Sequence, residues 1–515
     1  MGGNALKRQN FLTGAIILAA SNIISKILGA VFKIPLTYII GEEGMAIYNT
    51  AFNIYIMFLA FVVSGVPFAV SKLVSEYLSL KKNEMVRYTV KSANIILCII
   101  GLAGSTVLYF GADFFAIALK EVKAVFAIKM IAPSVAFVAA GAGIRSYFQG
   151  ASNMIPTAVS QAVEAFVKLA AGYILAKGLI KYGISAASGG AVLGVTIGEA
   201  VATALFIMMY VFSKKEYAAA AKSERKEVLK AIADIAVPLL FVSAISSMLS
   251  VVETSVIRRG LILSGLDVDS ARKAYGAYTG YAMTVFHLPA GMLATMGVSL
   301  LPVIAGGFAA NEERKVKIAS FAAFKLTVIF STPCAVVMFF LSSEILNILF
   351  GNNSSAQMLM MSAPCLAVMC TANILTSIIQ SSGRIVTSFV YLTAGMVLKI
   401  IISVFTIKVW GIYGVIAAAN ISSVLVMAAS MIITKKIIGL KFKILDTIIK
   451  PVIAALVMCL IIMLIKPAVT GYVKGVIPQT GIICSVSVSA YIMTLFLTGA
   501  LKYNKGIDIG CENGV

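Results

Sequence analysis

Charge is what this sequence has least of. Asp, Glu, Lys and Arg make up 12% of its 515 residues and 60% are hydrophobic, whereas a soluble chain carries about twice that share of charge. The chain therefore falls in the membrane class. With one histidine, no His/Cys spacing suits a metal, and none is expected. The seven cysteines form no disulfide framework: Cys98, Cys334, Cys365, Cys370, Cys459 and Cys484 lie in apolar stretches and Cys511 in a polar tail. Also missing are a glycine-rich phosphate loop ending in Lys-Ser/Thr, an HExxH and a GxSxG. ATP hydrolysis and enzyme chemistry are thus not expected. Asp267 and Asp269, beside Arg272 and Lys273, read as a solvated turn rather than a catalytic pair. No polar segment is longer than about 20 residues, which leaves no room for a soluble domain.

What the chain has in abundance is apolar runs of spanning length, roughly 20 residues each. They recur at about 11–40, 46–71, 92–112, 124–148, 155–176, 188–212, 231–257, 275–305, 318–341, 356–381, 386–407, 412–434, 451–465 and 479–501. Lys7 and Arg8 precede the first run as in a signal peptide, but that run is too long and lacks a small-residue cleavage site, so it reads as a retained span. With the N-terminus inside, about 25 of the 42 Lys and Arg fall in cytoplasmic segments and about 11 outside. The expectation is a multi-pass plasma-membrane protein with both termini cytoplasmic. The net charge of +21 then follows topology and needs no nucleic-acid partner. The basic loops at 213–230 and 435–450 favour anionic membrane lipid.

An internal repeat is visible. Gln149–Lys168 and Gln380–Lys399 have the same length, each opening with Gln at the end of one span and closing with Lys inside the next. Tyr182-Gly183-Ile184 and Trp410-Gly411-Ile412 then begin equivalent helices. Six helices per half is an even number, so the halves share one orientation. The expected fold is all-α and integral to the membrane: about fourteen transmembrane helices, arranged as two parallel six-helix repeats plus two C-terminal helices. The expected divisions are an N-terminal lobe 1–212, a basic cytoplasmic linker 213–230, a C-terminal lobe 231–434, and a segment 435–515 with the basic loop, helices 13 and 14 and a cytoplasmic tail.

Charges inside these runs are the candidate functional residues. Asn22, Lys26, Gly29 and Lys33 follow at steps of four, three and four, which puts them on one helical face. An intramembrane charge is costly and usually faces a bundle interior or a water-filled cavity. The bland alternatives are that Lys33 snorkels toward Glu42 and Glu43 and that Lys26 packs in a helix crossing. Lys168 and Lys399 occupy equivalent mid-span positions in the repeat. Glu164, one turn before Lys168, either neutralises it or shares its cavity. Glu199 and Glu253 are candidate counter-ions or proton-coupling groups. His287, in Val285-Phe286-His287-Leu288-Pro289, is either a core residue bonded to a carbonyl freed by the proline or a cavity-lining group that titrates near neutral pH.

Several blocks together carry a resemblance. Ser25-Lys26-Ile27-Leu28-Gly29, Pro35, Gly41-Glu42-Glu43-Gly44 and Tyr48, then Gly65-Val66-Pro67-Phe68-Ala69-Val70-Ser71-Lys72, resemble the stage V sporulation protein B and Gram-positive lipid II flippase group of the polysaccharide-exporter (multidrug/oligosaccharidyl-lipid/polysaccharide) superfamily. The likeness continues through Arg145-Ser146-Tyr147-Phe148-Gln149-Gly150, Pro156 to Gln161, and Leu288-Pro289 to Leu301-Pro302. It implies fourteen helices around a cationic cavity and a monomeric flippase that moves undecaprenyl-pyrophosphate-linked sugar to the outer leaflet by alternating access. It also implies roles in peptidoglycan or polysaccharide biosynthesis, cell shape or sporulation. The lipid-linked oligosaccharide would be bound by Lys26, Lys33, Lys168 and Lys399, with no cofactor and with the membrane potential or an ion gradient as drive. The chain departs from the Gram-negative pattern: Phe52 to Ser64 holds no cation, and Thr284 and His287 stand where an Arg and a Glu precede the helix 8 proline. The particular glycan therefore stays open. Two other readings compete, a multidrug-extrusion antiporter of the same superfamily and a non-transporting scaffold in cell-wall or spore assembly.

Overall fold

The computed structural model describes residues 11–213, 222–309, 312–439 and 445–500. Within them the chain is helical almost throughout and holds no strand. Parts of the predicted linker (214–221), basic loop (440–444) and tail (501–515) lie outside the described residues, as does Cys511. Residues 222–230, which the sequence reading gave to the linker, form the start of a long helix.

The chain divides into two compact units. The first is Met1–Gly280 with Ile407–Gly411. It contains α1 (Phe11–Val63), α2 (Gly65–Ser79), α3 (Asn83–Phe110), α4 (Ala112–Ala118), α5 (Val125–Gly150), α6 (Ile155–Leu179), α7 (Ile184–Ser213), α8 (Lys222–Leu263) and α9 (Val268–Gly276). A π-helical stretch, Ala277–Ala282, follows α9. The second unit is Tyr281–Thr406 with Ile412–Val515. Its helices are α10 (Met283–Ala309), α11 (Glu313–Phe340), α12 (Ser342–Phe350), α13 (Ala356–Ser381), most of α14 (Ile385–Trp410), α15 (Ile412–Ile438), α16 (Lys450–Tyr472) and α17 (Val476–Leu497).

Each apolar run predicted from sequence coincides with helix. Eleven segments among the described residues are long and apolar enough to cross a membrane. Within α1, Gly41 has φ 61° and ψ −166°, so the element is two successive helices, 11–40 and 42–63, and the break falls where the first run was expected to end. Only glycine accepts that φ without steric cost.

In the first unit α1 packs against α5, α6, α7, α8 and α9. Leu36, Met45, Ile47, Ala51 and Ile54 are fully buried there. The backbones of α6 and α7 approach closely. Gly190, Gly194 and Gly198 recur every four residues along α7, and a Cβ at Gly194 would come within 2.3 Å of the Gly172 Cα on α6. Small residues at this spacing let two backbones meet, the usual device of helix pairs in lipid. One consequence is that Glu164 and Lys168 are held against Gly198, with the Glu164 carbonyl oxygen 3.0 Å from where a Cβ would sit.

The repeat extends further back than the sequence match. The order α3, α4, α5, α6, α7, with 28, 7, 26, 25 and 30 residues, is matched by α11, α12, α13, α14, α15, with 28, 9, 26, 26 and 27. The turns before α7 and α15 both pivot on a glycine with positive φ, Gly183 at 106° and Gly411 at 56°. The last two helices pack on each other, and α16 also lies against α11. Lys466 ties α16 down through Glu344 at 2.7 Å and the Phe340 carbonyl at 2.8 Å. From α17 the Tyr491 hydroxyl donates to the Ile329 carbonyl at 3.0 Å.

Candidate functional site

Charged residues of the first unit gather along α1 on both sides of Gly41. Phe32, Tyr48, Phe52 and Tyr55 form an aromatic ladder along α1, with successive ring centroids 6.1, 5.9 and 5.7 Å apart. The Lys168 ammonium lies 5.9 Å from the centre of the Phe52 ring, the range of a cation–π contact. Lys33 is half-buried, and Lys168 is the charge that acts on it. Among the described residues no ion pair joins either lysine to a carboxylate, Glu164 included. The side chain of Lys26 lies outside the described residues.

A carboxylate pair borders these lysines. Glu199, 8% exposed on α7, accepts a hydrogen bond from the Tyr55 hydroxyl at 3.3 Å. Glu164, Arg145 and Lys168 all lie within its electrostatic reach. The Arg145 guanidinium covers the Phe206 ring at 5.1 Å, and its buried Nε has no hydrogen-bond partner. The site thus combines cations, carboxylates and aromatic faces along α1, α5, α6 and α7. Arg145 and the ladder were absent from the sequence candidates. Tyr48, Phe52 and Tyr55 recur at steps of four and three, the one sequence signal that could have marked the ladder.

The remaining candidates lie elsewhere. Glu253 is half-buried on α8, next to the polar cluster in which Asn53 of α1 bonds Thr254 and Tyr275, each at 3.2 Å. Lys399, half-buried on α14, acts electrostatically on Cys365, whose thiol lies 3.2 Å from the Ser423 hydroxyl. It belongs to the second unit and Lys168 to the first. His287 is exposed on α10, edge-on to the Phe286 ring at 5.4 Å.

A second charged cluster went unread in the sequence. Glu121, fully buried, bonds Arg258 of α8 and receives the Arg272 Nε of α9 at 2.8 and 3.0 Å. Arg272 also reaches Glu43 at 3.5 Å and pairs with Asp269, and Glu43 holds Lys123 at 2.6 Å. Glu43, which the sequence offered as a snorkelling partner for Lys33, is therefore paired with Lys123 and Arg272. Burial disfavours the Arg272 charge, but the Glu121 carboxylate and its hydrogen bonds outweigh that and raise its pKa above the ordinary arginine value. Asp267 and Asp269 are parts of a helix start: the Asp267 carboxylate caps α9, accepting from the Asp269 and Ser270 amides at 3.1 and 3.2 Å.

The family model described as polysaccharide biosynthesis protein matches residues 11–308, more than half of the chain, and the MatE model matches residues 273–405. Stage V sporulation protein B of Bacillus subtilis (strain 168) is 26% identical over 374 residues, 70% of each chain. Lipid II flippase MurJ of the same organism is 25% identical over 467 residues, 85% of each chain. Among solved structures, a lipid II flippase MurJ in an inward closed conformation matches with a TM-score of 0.70 at 19% identity, covering 95% of this chain and 100% of that one, a likeness of fold. The multi-pass helical body, its repeat and these matches lead to one conclusion: the chain belongs to the polysaccharide biosynthesis protein family and is a membrane transporter of the multidrug/oligosaccharidyl-lipid/polysaccharide superfamily.

Proposed function

We propose that this transporter flips an undecaprenyl-pyrophosphate-linked sugar, a lipid II-like peptidoglycan precursor or another oligosaccharide lipid, from the inner to the outer leaflet by alternating access. The observation that carries this reading is the proximity of Lys33 and Lys168 within membrane helices, with no carboxylate ion-paired to either among the described residues. Two neighbouring ammoniums in a low-dielectric site repel each other. An anionic head group relieves that repulsion, and lysine is a point charge suited to phosphate. The Tyr48, Phe52 and Tyr55 ladder offers apolar faces on which sugar rings pack.

In this proposal Lys26 and Lys399 complete the set of cations, and the lobes 1–212 and 231–434 are the moving bodies. The protein works as a monomer in the plasma membrane, with both termini cytoplasmic and with no cofactor or nucleic acid. An inside-negative potential favours outward anion movement by about 2.3 kcal/mol per charge per 100 mV. Glu164 and Glu199, with Glu253 and His287, are the groups through which an ion gradient would couple.

The test is a leaflet-accessibility assay in proteoliposomes with defined lipid-linked sugars. Flipping is expected for the wild type and loss for the Lys33→Ala, Lys168→Ala double variant. The Glu164–Glu199 neighbourhood and the MatE match favour one alternative, extrusion of a cationic drug. Efflux of cationic dyes without lipid flipping would establish that reading, and neither activity would favour a scaffold.

A further inference from the structure

The buried cluster at Glu121 contains none of the candidate cations, and it joins helix ends rather than mid-helix positions. Glu43 begins the second half of α1, Glu121 and Lys123 lie between α4 and α5, Arg258 lies near the end of α8, and Arg272 is in α9. With 11–40 as the expected first span, the cluster falls on the face opposite the one where α1 starts. Three carboxylates (Glu43, Glu121, Asp269) meet three cations (Lys123, Arg258, Arg272), so the closed cluster is neutral.

Its exposure is graded. The Glu121 side chain is 0% exposed and that of Arg258 3%, but those of Lys123 and Asp269 are 50% and 69% exposed. Water thus reaches the rim and stops at the hub. A buried ion pair is a poor choice for rigidity alone, since well-packed apolar side chains do as well or better. Unlike an apolar contact, though, it has a second satisfied state, with each charge hydrated once the helix ends part. The surrounding backbone departs from regular α-helix at three points. The α8–α9 turn contains Gly265 at φ 100°, Lys120 before the hub sits at φ 54°, and the Ala277–Ala282 π-helix follows α9. Helix α9 seats against α1 so closely that a Cβ at Gly276 would lie 1.9 Å from the Glu42 carbonyl oxygen.

We propose that Glu121 is the pin of an ionic latch. By binding Arg258 and Arg272 together it holds α8 and α9 to the start of the second half of α1 and to the α4–α5 connection, closing this face of the transporter, and it must release them for the face to open. The proposal rests on the transporter class and not on the identity of the substrate.

The test reads access beneath the latch. Thr254, 4% exposed and bonded to Asn53, is replaced by Cys in a full-length chain whose own cysteines have been removed. It is then labelled with a membrane-impermeant maleimide from the latch face, in vesicles of known orientation. Glu121→Gln is expected to speed labelling at least fivefold. Gly276→Ala, which wedges α9 away while leaving every charge in place, should act in the same direction and covers the case in which Glu121→Gln fails to fold. A short thiol-reactive bridge between Glu43→Cys and Asp269→Cys is expected to keep Thr254→Cys unlabelled and to stop transport. Unchanged labelling in both opened variants, or transport that continues with the bridge formed, overturns the latch. If lipid-linked sugar is not flipped even by the wild type, the substrate reading fails while the labelling rates still decide this one.

Discussion

Lys168 is the residue on which most of the candidate site converges. Its ammonium lies over Phe52, beside Lys33 and within reach of Glu199. Replacement by alanine removes both the charge and the cation–π contact, and a loss of about tenfold in flipping rate, or about 1.4 kcal/mol, is expected. Arginine keeps charge and stacking and is expected to retain most of the activity; the checking measurement is the initial rate of lipid flipping at matched protein density. Asp267 offers a different test. The Ser270 side chain, with the Ser270 and Asp269 backbone amides, holds its carboxyl below the usual 3.8. Because the folded value is the depressed one, the cap contributes fully above about pH 4 and is lost as acid takes the medium through the lowered value. Asp267→Ala is expected to speed amide exchange in the first turn of α9 at pH 7 and to make no difference at a pH below that lowered value.

At the scale of helices, the glycine ridge of α7 decides where Glu164, Lys168 and Glu199 meet. Gly194→Leu drives a side chain into the Gly172 backbone, an overpacking that costs about 1–3 kcal/mol. The expected result is a lower thermal midpoint in detergent and, in the protein that remains folded, impaired transport. Gly178→Ala serves as control, since nothing lies within 4 Å of its Cβ position. The helices themselves were legible in the sequence because an apolar run in lipid has one way to satisfy its backbone. The break at Gly41 could also be placed, at the end of the first run. Which face of each helix meets which neighbour could not be read. Asn53 finds Thr254 and Tyr275 more than 200 residues away, and Glu121 finds Arg258 and Arg272 137 and 151 residues away. Local periodicity carries no record of such pairings. Glu43 shows the effect most plainly: judged by sequence distance it was a partner for Lys33, but in the fold it belongs to Lys123 and Arg272.

For the whole molecule, the paired series α3 to α7 and α11 to α15 sets the frame in which both units are built. With the even number of crossings expected in each half, tags at the N-terminus and after residue 500 are expected to be protected or accessible together, and accessible only from the cytoplasmic side. Protease digestion of oriented vesicles checks this, and a split result would refute the proposed topology. One half of the repeat carries a label that the other lacks. The turn before α15 pivots on Gly411, and the residue ahead of it, Trp410, is 59% exposed and is the single tryptophan of the chain. All indole emission from this protein therefore originates at one helix end. A change in that emission on adding lipid-linked sugar, or its quenching by brominated lipid, reports on a known point in the fold without any introduced dye.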